Sequence, residues 1–320
     1  MMLKKTCLTL AATVLCLLNV SAVRAYDLPN VNLGFTSYYD AIPPNGPGFY
    51  FTQYLHYIEG RKFNNNNGGR LLPRSAGEEL SGFVAMTQFI YTSPHKPFFN
   101  AMPGIDLALP VVFTDLSYSQ NGPFPENNSD GIGDLLVGPF LQWDPVMKKD
   151  GSPLMCHRVE FQLLFPTGRY SSNREINPGS NFFSFNPYWS STWWITPRWT
   201  TSLRLHYLWN AKNHDPNRSF GDVGHTQAGQ AYHFNYTMAY SVIPKILHLG
   251  INGYFLKQFT DTEVSGRDVS GRREQVFAIG PGGLWSITPK LHMFFNLYVE
   301  SHVRNRPEGF RSTIRFVYKI

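Results

Sequence analysis

Residues 291–303 read LHMFFNLYVESHV, and the alternation in that stretch decides the fold. Leu291, Met293, Phe295, Leu297, Val299 and Val303 lie on one face of an extended chain, and His292, Asn296, Tyr298, Glu300 and His302 on the other. A soluble sheet shows such a pattern once. Here segments of about ten residues repeat it as far as Ile320, as a transmembrane β-barrel requires, with lipid against the apolar face. The expected class is all-β, a transmembrane antiparallel β-barrel of about 12 strands. On this reading a charge at Phe295 or Leu297 impairs assembly, whereas one at Asn296 is tolerated.

Short turns punctuate the strands at Asp144-Pro145, Ile195-Thr196-Pro197-Arg198, Ile243-Pro244-Lys245 and Ile287-Thr288-Pro289-Lys290, where proline pre-sets φ. Long polar stretches alternate with them, at 64–70, 121–130, 168–180, 212–227, 261–273 and the shorter 304–309. That asymmetry is the signature of outer-membrane barrels of Gram-negative bacteria, whose short turns face the periplasm. Strands are expected to begin near Gly48, Phe83, Ile105, Ile132, Arg158, Phe182, Thr200, Gly229, Ile246, Gln275, Leu291 and Phe310. The second is irregular, because neither face of 83–92 is clearly polar. The last is clear: Phe310, Ile314, Phe316, Tyr318 and Ile320 face one way, Arg311, Thr313, Arg315 and Lys319 the other. It resembles the C-terminal signal read by the barrel assembly machinery, with Ile320 where an aromatic residue usually ends the chain.

An exported chain fits this architecture. Lys4 and Lys5 precede an apolar run over 8–20, and Val23, Arg24 and Ala25 lead to a cut before Tyr26, so 1–25 reads as a signal peptide. Losing Lys4, Lys5 and Arg24 takes the 28 basic residues to 25 against 22 acidic ones, and the net charge from +6 to +3. The alkaline balance is therefore no evidence for nucleic acid as a partner. Cys7 and Cys16 leave as well, and Cys156 alone forms no intrachain disulfide. Aromatic residues make up 15% of the chain, as expected where rings sit at both membrane interfaces.

One barrel domain, 48–320, is expected after a segment, 26–47, whose Pro43, Pro44, Gly46 and Pro47 argue against a strand. That segment is either folded into the lumen as a plug or a disordered periplasmic tail. Gly138-Pro139 and Gly280-Pro281 fall in mid-strand, where proline cannot donate to the ladder, so a bulge or sharp bend is expected at each.

The inward face supplies the candidate functional residues. Arg158, Glu160, Gln162, Arg204, His206, His233, Asn235, His248, Asn252, Tyr254, His292, Asn296, Tyr298, Glu300, His302, Arg311 and Arg315 are expected to line the lumen. The histidines invite a metal or proton-relay reading. They come from different strands, with no pair two or four residues apart on one element, so lining is the simpler role, and neither a metal nor a cofactor is expected. The arginines, with Lys319, face Asp106, Glu160 and Glu300, a mixture that favours anionic or hydroxylated solutes. Some barrels of this size are phospholipases with Ser, His and Asn at the outer rim. His206 and Asn210 share a face here, but no serine sits in a nucleophile motif such as GxSxG. Asp130 and Asp134 lack the bidentate glutamate and the spacing of a calcium loop, which leaves a polar hairpin loop.

Several motifs together carry a family resemblance: GDLLVGPFLQW at 133–143, FPTGRY at 165–170, SFNPYW at 184–189, LHYLWN at 205–210, NGYFLKQ at 252–258, REQVFAIGPG at 273–282 and NRPEGFR at 305–311. They resemble the phenol meta-pathway degradation family, outer-membrane β-barrels associated with aromatic catabolism, over nearly the whole mature chain. The resemblance implies transport of small aromatic or otherwise hydrophobic solutes, no enzyme activity and no cofactor. It supplies no agreed substrate-contact residues, so no residue role is carried over. The expected function is passive uptake of phenol-like compounds by a channel in contact with outer-membrane lipid. The alternatives are a plugged structural or adhesive barrel and, second, a barrel phospholipase.

Overall fold

Aromatic and β-branched residues at every second position favour extended chain, and in the computed structural model that preference yields a closed wall of twelve antiparallel strands. Residues 27–42, 46–122 and 124–320 are described; the expected signal peptide, 1–25, lies outside them. β1 (Gly48–Phe63), β2 (Glu79–Thr92) and β3 (Met102–Ser117) are continuous. β4 (Gly131–Ile132 and Leu135–Gln142), β5 (Pro153–Glu160 and Leu163–Phe165) and β6 (Ser184–Phe185 and Tyr188–Trp194) each come in two pieces. β7 (Trp199–Asn210), β8 (Ala231–Ile243), β9 (Leu247–Gln258), β10 (Gln275–Ser286), β11 (Leu291–Arg304) and β12 (Pro307–Lys319) complete the wall. Each strand pairs with the next, and β12 returns to β1 with Arg315 opposite Tyr54, so no edge is left. The start furthest from its sequence expectation is that of β5, at Pro153 rather than Arg158.

Burial is inverted relative to a soluble protein. Phe89, Leu107, Phe113, Leu205, Ile251, Leu297 and Ile314 are exposed on the outer surface, while Arg158, Glu160, Arg204, Asn235, Asn296 and Glu300 are buried inside. Aromatic belts bound the apolar band. Trp199 packs on Tyr240 near the short turns, and Tyr207, Tyr232 and Phe259 cluster near the long loops. The two Ile-Thr-Pro-basic turns share a mechanism. Thr196 Oγ1 accepts from the backbone N–H of Arg198 and Trp199, and Thr288 Oγ1 from those of Lys290 and Leu291. The connection from β11 to β12 is tighter than expected, only residues 305–306. Because the closed ladder satisfies its own backbone, the folded protein is expected to migrate faster unboiled than boiled on a denaturing gel. Identical migration, with mainly helical far-UV dichroism, would refute the barrel.

The prolines in mid-strand do not make the expected bulges. Asp106 pairs with Gly138 and Ile105 with Pro139 in unbroken register, and Ile251 pairs with Pro281 likewise. The other neighbour absorbs the missing donor: pairing lapses there for two residues and resumes in the same register, between Val137–Leu163 and Phe140–Glu160 and between Ile279–Val299 and Gly282–Asn296. Register shifts occur elsewhere, one of them on β11. His302 adopts a positive φ of 53°, and the pairing shifts by one residue between Gln275 and Phe277. This bulge overturns the sequence expectation for two residues: His302 turns outward and is exposed, and Val303, expected outside, is buried within.

Candidate functional site

Residues 27–42 run through the barrel interior, from the long-loop end towards the short-turn end, and their polar groups dictate where they lie. At the outer end Asp27 forms a two-point ion pair with Arg272 (2.5 and 2.8 Å), and the Asp27 and Leu28 amides donate to Glu274 Oε1. Burial pushes the Glu274 carboxyl above the usual range, an effect opposed by Arg306, with which it pairs. Midway, Gly34 N–H donates to Asn235 Oδ1 (2.9 Å), and Asn235 Nδ2 donates to Asn32 O. Tyr298 and Thr313 hydroxyls both donate to Gly34 O. Gly34 has φ +83°, and a Cβ there would sit 2.6 Å from the Tyr298 ring, so both the conformation and the close approach require glycine. Near the other end Arg204 grips Asp40 through two hydrogen bonds of 2.5 and 2.9 Å.

The segment leans on one half of the barrel. Leu28 and Leu33 pack with Leu208, Tyr254, Leu256, Val276 and Tyr298, and Tyr38 packs with Tyr50, Ala239, Leu284 and Phe294. Against the opposite half it leaves a cavity of about 170 Å³. Val84, Met86, Ala108, Pro110, Val112, Leu136 and Leu164 form the apolar wall, and Phe35 and Leu33 come from the segment. Tyr54, Gln88, Gln162, Asn186 and Arg204 are polar points on its boundary, joined by Glu300 and Arg311. Sequence reasoning missed the apolar wall. Its signal was the weak polarity of 83–92: on the inner face of β2, Leu80, Val84 and Met86 face a cavity and not water, and Ile90 packs against the cluster around Tyr38.

Most of the expected lining residues are buried inside, but they serve different contacts. Glu160 accepts from Tyr188 (2.6 Å) and Gln162 (2.8 Å), Arg158 bonds Gln142, and Arg204 stacks over the Tyr188 ring. Tyr254 donates to Glu300 (2.6 Å), which pairs with Arg311. Arg315 lies over the Phe294 ring, 3.8 Å from its centre. His206 and His233 occupy facing positions on β7 and β8 and stack at 4.1 Å, a pair that spacing along one strand could not reveal. His248 approaches the Tyr39 hydroxyl and His292 that of Ser286. Among the described residues no three His, Cys, Asp or Glu side chains gather to hold a metal. Asn252 is fully buried and donates to Gly280 O. Asn296 is also fully buried, and a Cβ on Gly282 would lie 2.9 Å from its amide. The expected tolerance of a charge at Asn296 therefore fails on packing: its face is the inner one, but that part of the interior is filled.

Nothing resembling a hydrolase centre assembles from the residues singled out for one. Asn210 is held by Ser184 and by the carbonyls of Ala228 and Gly229, and neither His206 nitrogen has a hydrogen-bond partner among the described residues. The Asp134 carboxylate is likewise occupied, by the Gly168 and Ser180 amides, and so pins the loop 166–183.

The profile of the family described as "Putative MetA-pathway of phenol degradation" matches residues 60–316. An outer membrane channel from Pseudomonas putida F1 superimposes with a TM-score of 0.73 at 18% identity, over 91% of this chain and 100% of its own, a likeness of fold. The β domain of the Bordetella autotransporter BrkA (TM-score 0.49, 8% identity, 86% of this chain and 100% of its own) is more distant. So is the CymD monoaromatic hydrocarbon channel (0.40, 8%, 86% and 89%). No curated protein sequence matches the chain.

Proposed function

The chain belongs to the phenol meta-pathway degradation family, and from that premise we propose that it is a channel in the outer membrane of a Gram-negative bacterium, admitting small aromatic or weakly polar solutes by passive diffusion. The cavity beside the inner segment carries this reading. Its volume is about 170 Å³, and an apolar cavity of roughly 150 Å³ is enough to hold benzene. Apolar walls accept a ring, and scattered polar points hold a hydroxyl weakly enough to release it. In a strain lacking other porins, cells carrying the protein are expected to take up phenol faster than cells without it. The density of bonds on residues 27–42 favours a second reading, a closed structural barrel. Liposome swelling with the full-length protein separates the two, and deleting 26–47 is expected to raise conductance if the segment plugs the lumen. If both the full-length and the truncated protein left proteoliposomes impermeable to ions and small aromatics, the channel reading would be abandoned for the structural one.

A further inference from the structure

Two cavities adjoin inside the barrel and share two lining residues. The outer one, about 80 Å³, opens among the long loops beside Tyr170, Phe182 and Phe220. Asn30 of the inner segment and Asn177 of the loop 166–183 line both it and the larger apolar cavity. Leu28, Glu175 and Gly179 border only the outer cavity, Val31, Ile176 and Pro178 only the inner one. The neck is thus one residue deep on each side.

The two amides differ in freedom. Asn177 is locked: its Oδ1 accepts from Asn128 Nδ2 and Ser171 N–H, and its Nδ2 donates to the carbonyls of Ser171 and Arg174. Asn30 is exposed to the two cavities and makes no side-chain hydrogen bond among the described residues. We infer that Asn30 is the movable side and Asn177 the fixed side of a selective neck, through which a compact neutral ring bearing a hydroxyl passes in preference to an unsubstituted one. The inference rests on the channel reading. A solute crossing from the outer cavity into the apolar one sheds water at the neck. An amide offers both a donor and an acceptor there. A hydroxylated ring exchanges its water for that amide, whereas a bare ring gains nothing, and sites built around a hydroxyl discriminate on that ground.

Asn30→Cys provides a reversible test on the folded protein, because Cys156 is only 1% exposed and does not compete for reagent. Attaching a bulky group through a disulfide is expected to bring phenol uptake down to that of cells lacking the protein, and reduction to restore it. Asn30→Leu, which keeps the size and removes the amide, is expected to lower the ratio of phenol to benzene uptake about fivefold, the effect of one hydrogen bond. Unmodified migration on unboiled gels verifies folding of each variant. Uptake that persists after the bulky modification, or an unchanged ratio in Asn30→Leu, overturns the neck while leaving the channel standing. No uptake by the unmodified wild type defeats the channel reading itself.

Discussion

Replacing Arg204 by methionine is expected to release the inner segment and raise single-channel conductance. The Arg204 and Asp40 side chains are 8% and 4% exposed, and they hold each other through two hydrogen bonds. Removing the guanidinium leaves a buried carboxylate without its partner, which costs about 3–5 kcal/mol. A loss of that size shifts the docked segment toward release by roughly a hundredfold or more. Asp40→Asn in the same chain should recover much of the loss, because the neutral amide no longer needs a cation. Protease cleavage within 27–42 supplies an independent readout, enhanced in Arg204→Met and reduced again in the double variant. If cleavage and conductance match wild type in the single variant, this pair does not hold the segment.

Leu297→Arg is expected to prevent assembly of most of the protein, and Met86→Gln is not. Leu297 points outward and is 40% exposed, so its replacement places a cation against lipid, at about 2–4 kcal/mol near the midplane. Met86 points inward and borders the cavity, where Gln88, one of its polar boundary residues, is close in the strand. The fraction of folded, heat-modifiable protein after refolding measures the difference. Equal yields would show that the facing of β2 or β11 is wrong. Asn296, the comparison that alternation alone would choose, is unsuitable because the space around it is filled.

Alternation is a local property, and it carried nearly all of the fold. Period-two patterning set the strand count and the facing of β11 and β12, because each inner or outer position follows from its immediate neighbours. It failed at His302, where one residue with positive φ reverses the pattern for Val303 without any mark in the polarity of the sequence. It also mistook the cause of the weak polarity over 83–92. Val84 and Met86 face a cavity, and the cavity exists because residues 27–42 lean on the opposite half of the barrel.

What the sequence determined by itself was a membrane barrel with short turns at one end, a non-strand segment before β1, and a polar inner face. Only the tertiary structure decided how that face is used. Arg204 meets Asp40 across 164 positions of chain, Asp27 meets Arg272 across 245, and His206 meets His233 by strand register. Such pairings are fixed by closure of the wall and by the path of the inner segment, which join residues whose separation along the chain carries no periodic signal. The apolar cavity and its asparagine neck arise in the same way, as the space that remains once the buried charges and glycine contacts have drawn the segment to one side.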